Sequence, residues 1–211
     1  MIFLFSENTD SFGDREGMNG KEHNFEIKVE YIQRYEMLFQ FDSCKIPDEE
    51  VDLPPDYVWF PWNDRLADVY ARVQYLGFRG EVDSEVFPTF RRFDSCWRLV
   101  QYIMNKPEFM PKASWLIGEQ KGAGNGFYCA MIQCSRKSKE RGKIENIAVL
   151  QQYRHHGLGT AIIYKALQAF QKAGCCDVLL EATARNENAV HLYQKLGFKI
   201  IKTTFKETYV A

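Results

Sequence analysis

The stretch Arg154-His155-His156-Gly157-Leu158-Gly159-Thr160 carries the clearest chemical signal in the chain. It lies between an apolar run over 144–150 that reads as a strand and a run over 158–173 whose apolar residues recur at helical spacing. A strand, a glycine-bearing turn and a helix start together form an anion-binding device. Several backbone N–H groups are exposed at one point, and the helix dipole adds partial positive charge there. Gly157 and Gly159 can take positive φ and would let a diphosphate approach the backbone. Spacing alone leaves a second reading open, steric relief where the helix packs on the strand. Two nucleotide motifs are excluded. Thr160-Ala161 follows Gly159 where a Walker loop needs Lys-Ser/Thr, and the third glycine of a dinucleotide fingerprint is missing.

A second stretch lies downstream: Leu179-Leu180-Glu181-Ala182, then Asn186-Glu187-Asn188-Ala189-Val190-His191-Leu192-Tyr193, then Leu196-Gly197-Phe198. It reads as strand, loop, short helix and glycine stop. Asn186 or Asn188 is the expected N-cap, and Ala189, Leu192, Tyr193 and Leu196 form one apolar face. Taken in order, the Arg-x-x-Gly-x-Gly turn, the Asn-x-x-Ala-x-x-Leu-Tyr helix and its closing Leu-Gly-Phe resemble the GCN5-related N-acetyltransferase (GNAT) family. The resemblance is good over 93–211 and weaker back to about residue 57.

The resemblance implies transfer of acetyl from acetyl-CoA, the donor substrate, to a primary amine, directly within a ternary complex. In this family the central strand, here 144–150, is bulged and splays from its neighbour, here 178–182. The pantetheine arm bonds the exposed backbone like an added strand, near Ile147, Ala148 and Val149, where one N–H also faces the thioester oxygen. Arg154, His155, His156, Gly157, Leu158, Gly159 and Thr160 would bind the diphosphate through their amides, with Asn186 and Asn188 touching the cofactor or capping the helix. Tyr193 stands at the family's acid position and would donate to the departing sulfur. Glu181 matches a position used as base by members that acetylate protein N-termini, and burial would raise its pKa. Glu145, a charge inside the central strand, is the rival base, and a water chain is a third route. Strict alternation puts Glu145 and Asn146 on opposite faces. Two alternatives stand beside this reading: the same fold with another acyl-CoA, distinguished by room near Ile147 and Val149, and a non-catalytic acyl-CoA-binding module.

The elements that must hold these residues suggest an α/β (α+β) fold. The expectation is a mixed sheet of about seven strands with a splayed central pair, about four flanking helices and extra N-terminal strands that add to the sheet edge or shield it. Strands are expected over 25–31, 35–41, 57–61, 115–120 and 127–135, the last two as a hairpin. Asn63 should cap a helix running to about Gly77, and Asp94 or Ser95 a second one to Asn105, with an irregular crossing over 78–92. Residues 136–143 read as a solvated basic loop, the minority view being a contact with the 3′-phosphate of coenzyme A. Residues 1–24 read as a flexible arm and 25–211 as one domain.

Composition bounds the rest. The chain has 211 residues, 45% of them hydrophobic, and a net charge of −1, which argues against nucleic-acid or anionic-membrane binding. No apolar run approaches membrane-spanning length, and the opening residues lack the basic flank and length of a secretion signal. The six cysteines form no Cys-x-x-Cys pair and the four histidines are not at ligand spacing, so no metal is expected, and reduced thiols point to the cytoplasm. Acceptor identity is left open: Glu81, Asp83 and Glu85 could attract a cationic amine or be solvated charges, and Trp59, Phe60 and Trp62 could line a pocket or pack the core. A monomer or a homodimer fits equally well.

Overall fold

The computed structural model describes residues 28–120 and 127–210. The expected arm over 1–24 and the tip of the hairpin over 121–126 lie outside the described residues. Seven strands form one sheet in the order β2-β3-β4-β5-β6-β1-β7: β1 (Lys28–Gln40), β2 (Tyr57–Pro61), β3 (Trp115–Glu119), β4 (Tyr128–Arg136), β5 (Arg141–Val149), β6 (Asp177–Thr183) and β7 (Lys199–Val210). All neighbours run antiparallel except β5 and β6. Two helices, α1 (Ala67–Phe78) and α3 (Phe93–Met104), cover one face, and α4 (Leu158–Lys172) and α5 (Glu187–Lys195) cover the other. A short helix, α2 (Val82–Val86), joins α1 to a 3₁₀ turn at Pro88–Arg91.

Each helix face has its own core. Ile162, Ala166 and Phe170 of α4, Tyr193 of α5 and Leu196 just past its end meet Met37, Phe39, Leu180 and Ala182 of the sheet. Tyr70, Ala71 and Val73 of α1 and Cys96 and Val100 of α3 meet Met131, Ala148 and Leu150. Burying such a side chain contributes roughly 1.5–3 kcal/mol, which is why the two apolar stripes decide the layering. Trp59, Phe60 and Trp62 belong to this packing, edge-on to Trp115 and Tyr128 and tilted on Tyr70 respectively.

The N-terminal region departs from expectation most. One continuous strand, β1, replaces the two strands expected over 25–31 and 35–41, and it is inserted inside the sheet rather than added at its edge. It pairs with β6 on one side (Glu36 opposite Glu181) and β7 on the other (Glu36 opposite Lys202). Two paired edges and a buried Met37-x-Phe39 face hold it there. The C-terminal strand β7 takes the edge, and Lys28 stands opposite Val210.

Smaller differences have local causes. The crossing over 78–92 is not irregular: it holds α2, whose Ser84 N–H and Oγ both bond the Glu81 carbonyl. Helix α3 starts at Phe93, ahead of both expected caps, and Asp94 instead pairs with Arg92 and Arg98. Asn63 does cap, its side chain accepting from Arg65 N–H in a 3₁₀ turn that runs into α1.

Candidate active site

The strands β5 and β6 share only three rungs, Arg141 with Asp177, Gly142 with Val178 and Lys143 with Leu179, and then part. From Ile144 onward β5 pairs with β4 alone. Leu150 N–H donates to the Cys129 carbonyl, so the antiparallel alternation turns the peptide groups of Ala148 toward Met131 on β4. Those of Ile147 and Val149 face the gap. Ala148, expected among the backbone contacts, is therefore already used by the sheet. Its side chain instead touches α1 at Gly77, where an added Cβ would stand 2.8 Å from Ala148 Cβ.

The turn after β5 keeps the shape expected of an anion site. His155 has φ +66° and Gly157 φ +79°, and Gly157 caps α4 with no side chain bonded to the first-turn amides. His155, His156 and Gly157 are exposed while the Leu158 side chain is core. His156 Nδ1 pairs with Tyr57 Oη at 3.0 Å. Gly159 does not take positive φ: it is helical, and its missing side chain lets α5 approach, with Leu192 Cδ2 3.2 Å from where a Cβ would be. Thr160 is half-buried in the first turn. The Arg154 side chain turns back from the turn. Its guanidinium bonds the carbonyls of Val149 and Gly77, each at 3.2 Å, and Glu81 at 2.8 Å.

The other side of the gap is charged. Gln133 faces Asn146 and Cys134 faces Ile144, so Glu145 is an extra residue, a β-bulge. The bulge overturns the expectation that Glu145 and Asn146 lie on opposite faces. Asn146 shares its face with Gln133, Glu145 is bonded by Ser135 Oγ at 2.6 Å, and Gln133 and Ser135 lie two apart on one strand. Both therefore look toward α1 and α3. Lys143, expected in a solvated loop, lies on β5 with Nζ 3.3 Å from Glu145 and 3.4 Å from Glu181. Lys106 adds a contact to Glu145 at 3.8 Å, and Arg34 of β1 meets Glu181 at 3.4 Å. Glu145 is 14% exposed and Glu181 44%, so Glu181 is the carboxylate an incoming molecule can reach. Burial alone would push the Glu181 carboxyl up, as expected from sequence. Lys143 and Arg34 outweigh it and hold the group below the ordinary carboxylate range.

The two sides meet at the open end of the gap. Asp83 accepts from Thr183 Oγ1 at 2.5 Å and from Asn186 Nδ2 at 2.9 Å, tying α2 to the end of β6 and the start of α5. Asn186 also caps α5, its Oδ1 accepting from Ala189 N–H, whereas Asn188 is exposed on the first turn. Glu81 and Asp83 thus brace the site, and Glu85 pairs with Arg185, so none of the three is a spare acid for an acceptor. Tyr193, one turn and a half into α5, is buried. Burial first, and the nearby Asp83 charge second, hold its phenol well above the ordinary range, so it keeps its proton at any physiological pH. Sequence reasoning missed Arg34, Lys143 and Thr183. For Arg34 the local signal was charges at alternate positions beside apolar ones (Arg34 and Glu36 beside Tyr35 and Met37).

A splayed parallel pair, an amide-rich turn and a phenol on the following helix define an acyl-CoA-dependent transferase. Comparison agrees: residues 81–198 match the acetyltransferase (GNAT) family, and the chain belongs to it. An N-alpha-acetyltransferase of Sulfurisphaera tokodaii is 41% identical over 82% of this chain and 83% of its own length. Human N-alpha-acetyltransferase 30 is 35% identical over 38% of this chain, a match that spans 22% of the human protein. Among solved structures, a GCN5-related N-acetyltransferase from Sphaerobacter thermophilus superposes with TM-score 0.60 at 16% identity, covering 86% of this chain and 52% of that one. A chain of the NatC complex bound to Gag peptide and CoA gives TM-score 0.56 at 21% identity, covering 74% of this chain and 98% of that one. These likenesses support the fold, and the family with its 41% identical relative makes the chain an acetyl-CoA-dependent N-acetyltransferase.

Proposed function

We propose that this chain acetylates the α-amino group of a peptide, with Glu181 receiving the amine and Tyr193 assisting the departing sulfur. The observation that carries the acceptor class is the state of Glu181: exposed at the mouth of the gap, yet held as a carboxylate by Lys143 and Arg34. A carboxylate held that low is a weak base. It suits an amine that already sheds its proton near neutrality. An α-amine with pKa of about 8 is roughly a quarter neutral at pH 7.5, whereas a lysine side chain near 10.4 is neutral at about one part in a thousand. The name of the Sulfurisphaera relative supports the same class.

The residues fit the donor. The open first-turn amides from His155 to Thr160 would take its diphosphate, and the peptide groups of Ile147 and Val149 its pantetheine arm. Acetyl-CoA supplies the thioester carbonyl and the leaving thiolate. An N–H of Ile147 or Val149 would stabilise the negative charge that develops on the carbonyl oxygen. Glu181 would orient the amine and accept its proton as the C–N bond forms, and Tyr193 would donate a hydrogen bond to sulfur. Glu145, only 14% exposed and shared among Ser135, Lys106 and Lys143, supports Glu181 rather than replacing it. Six free cysteines, four of them buried, support a reducing, cytoplasmic setting.

The test offers acetyl-CoA with two peptides of one sequence, one with a free N-terminus and no lysine, the other N-terminally blocked with an internal lysine. Free thiol and peptide mass are read together. Turnover confined to the first peptide is expected, and turnover confined to the second sinks the α-amine reading. Propionyl- and succinyl-CoA in the same assay measure acyl preference.

A further inference from the structure

Lys143 stands on the last rung that β5 and β6 share, opposite Leu179. Beyond it the strands have no backbone bonds to hold their side chains in register. Its ammonium spans that divergence, 3.3 Å from Glu145 Oε2 on β5 and 3.4 Å from Glu181 Oε1 on β6. The two carboxylates are not held alike. Glu145 has Ser135 Oγ at 2.6 Å and Lys106 at 3.8 Å besides. Among the described residues, Glu181 has only Arg34 besides, at 3.4 Å and on β1, the side away from β5.

The remaining charges on this face complete the picture. Glu36 stands directly opposite Glu181 in register, and like charges so placed repel. Lys202 opposes Glu36 from β7, and Arg141 pairs with Asp177 at the start of β6. Asp83 reaches this row only through Thr183, which also accepts from Arg34. Among the described residues, Lys143 is thus the one contact that draws the Glu181 carboxylate toward β5, against Arg34 pulling it toward β1.

We propose that Lys143 is the positioning residue of the acceptor site, its ammonium tethering the Glu181 carboxylate at the point where β5 and β6 part. The proposal rests on the reading of Glu181 as the group that receives the amine. Removing the tether lets Glu181 swing to Arg34, so peptide binding suffers while the turn at residues 155–160, on the other side of the gap, still takes acetyl-CoA. The loss of a neighbouring cation also raises the pH at which Glu181 titrates, because a carboxylate loses the charge that favoured its ionised form.

The experiment compares Lys143→Met, Lys143→Arg, Glu181→Gln and the Lys143→Met/Glu181→Gln pair. Peptide KM and kcat, acetyl-CoA affinity by calorimetry and the Glu181 titration are measured. The titration is followed by carbon NMR of glutamate-labelled protein and assigned by the resonance lost in Glu181→Gln. Lys143→Met should raise peptide KM about tenfold. The Glu181 midpoint should rise, because the carboxylate loses the lysine that favours its ionised form. Acetyl-CoA affinity should stay put, and Lys143→Arg should restore both quantities. In the Glu181→Gln background, Lys143→Met should add nothing. If Lys143→Met does not fold by thermal melt, Lys143→Gln takes its place. Wild-type KM and midpoint in the Met variant, or an Arg variant as impaired as Met, overturns the lysine's role. Wild-type kinetics in Glu181→Gln overturns instead the reading of Glu181 on which the proposal rests.

Discussion

Arg154 Nη1 lies 2.8 Å from Glu81 Oε1, so the residue that opens the turn before α4 is fastened to the segment that leads into α2. The same guanidinium holds the carbonyls of Gly77 at the end of α1 and Val149 at the end of β5. One planar cation thereby sets the spacing of three elements around the gap, which a flexible ammonium would do less well. Each side chain is about one-third exposed, so the pair itself is screened and modest in energy. A double-mutant cycle with Arg154→Met and Glu81→Gln should give a coupling of roughly 0.5–1 kcal/mol in urea unfolding. Arg154→Met should also weaken acetyl-CoA several-fold in calorimetry, by loosening the turn rather than by removing a phosphate ligand. A cycle with no coupling, or unchanged cofactor affinity, sinks the brace.

Tyr193→Phe separates binding from chemistry. The ring packs beside Phe198 at 6.1 Å between centroids, and phenylalanine preserves that contact. Stability should change by about 1 kcal/mol or less. Turnover should fall by roughly 10²-fold, the usual scale for losing a positioned proton donor, with acetyl-CoA affinity intact. Because the phenol stays protonated well past the usual range, wild-type kcat should show no falling limb from this residue up to pH 10. Full activity in Tyr193→Phe would remove the donor role from this residue.

How far the sequence could be read follows the range of each interaction. The turn at 154–160 and helix α5 are set by contacts within about ten residues, so cap, glycine and apolar period were all visible. The position of β1 was not. Its partners Glu181 and Lys202 lie some 150 residues away, and alternation says which face a strand buries but not which neighbours it takes. Glu145 shows a subtler limit. One bulged residue flips the parity of everything after it, so Glu145 and Asn146 share a face that strict alternation denies them. Lys143 looked like one charge in a basic loop because the strand that makes it a bridge begins at Arg141.

Alkaline pH should weaken the fold. Cys129 and Cys96 are buried free thiols, and burial pushes them to about 12 and about 11, with Glu119 and Asp94 adding smaller contributions. Below about pH 8.5 both folded and unfolded chains keep these protons. Above it the unfolded chain ionises first, so it binds fewer protons than the native state and stability falls as pH rises toward the folded values. The midpoint of urea unfolding should therefore drop steadily from pH 8.5 to pH 10.5. Cys129→Ala should flatten that slope while costing some stability at pH 7 from the lost packing. An equally steep slope in Cys129→Ala rejects the thiol as its source.

Gly77 tests whether the gap depends on how closely α1 lies on β5. A Cβ there would stand 2.8 Å from Ala148 Cβ and 3.9 Å from Leu150 Cδ2, and the first contact is a clash with a side chain too short to move away. Alanine has the higher helix propensity by about 1 kcal/mol, so an open helix site would gain from the change. Here overpacking should win, with a net loss of roughly 1–3 kcal/mol as α1 is pushed off the sheet. The displacement carries the Gly77 carbonyl away from Arg154, so acetyl-CoA affinity should fall together with stability. Gly77→Ala/Ala148→Gly removes the methyl that Gly77→Ala meets and should recover part of both. Failure of the double variant to recover either quantity would place the cause elsewhere than the contact of α1 with β5.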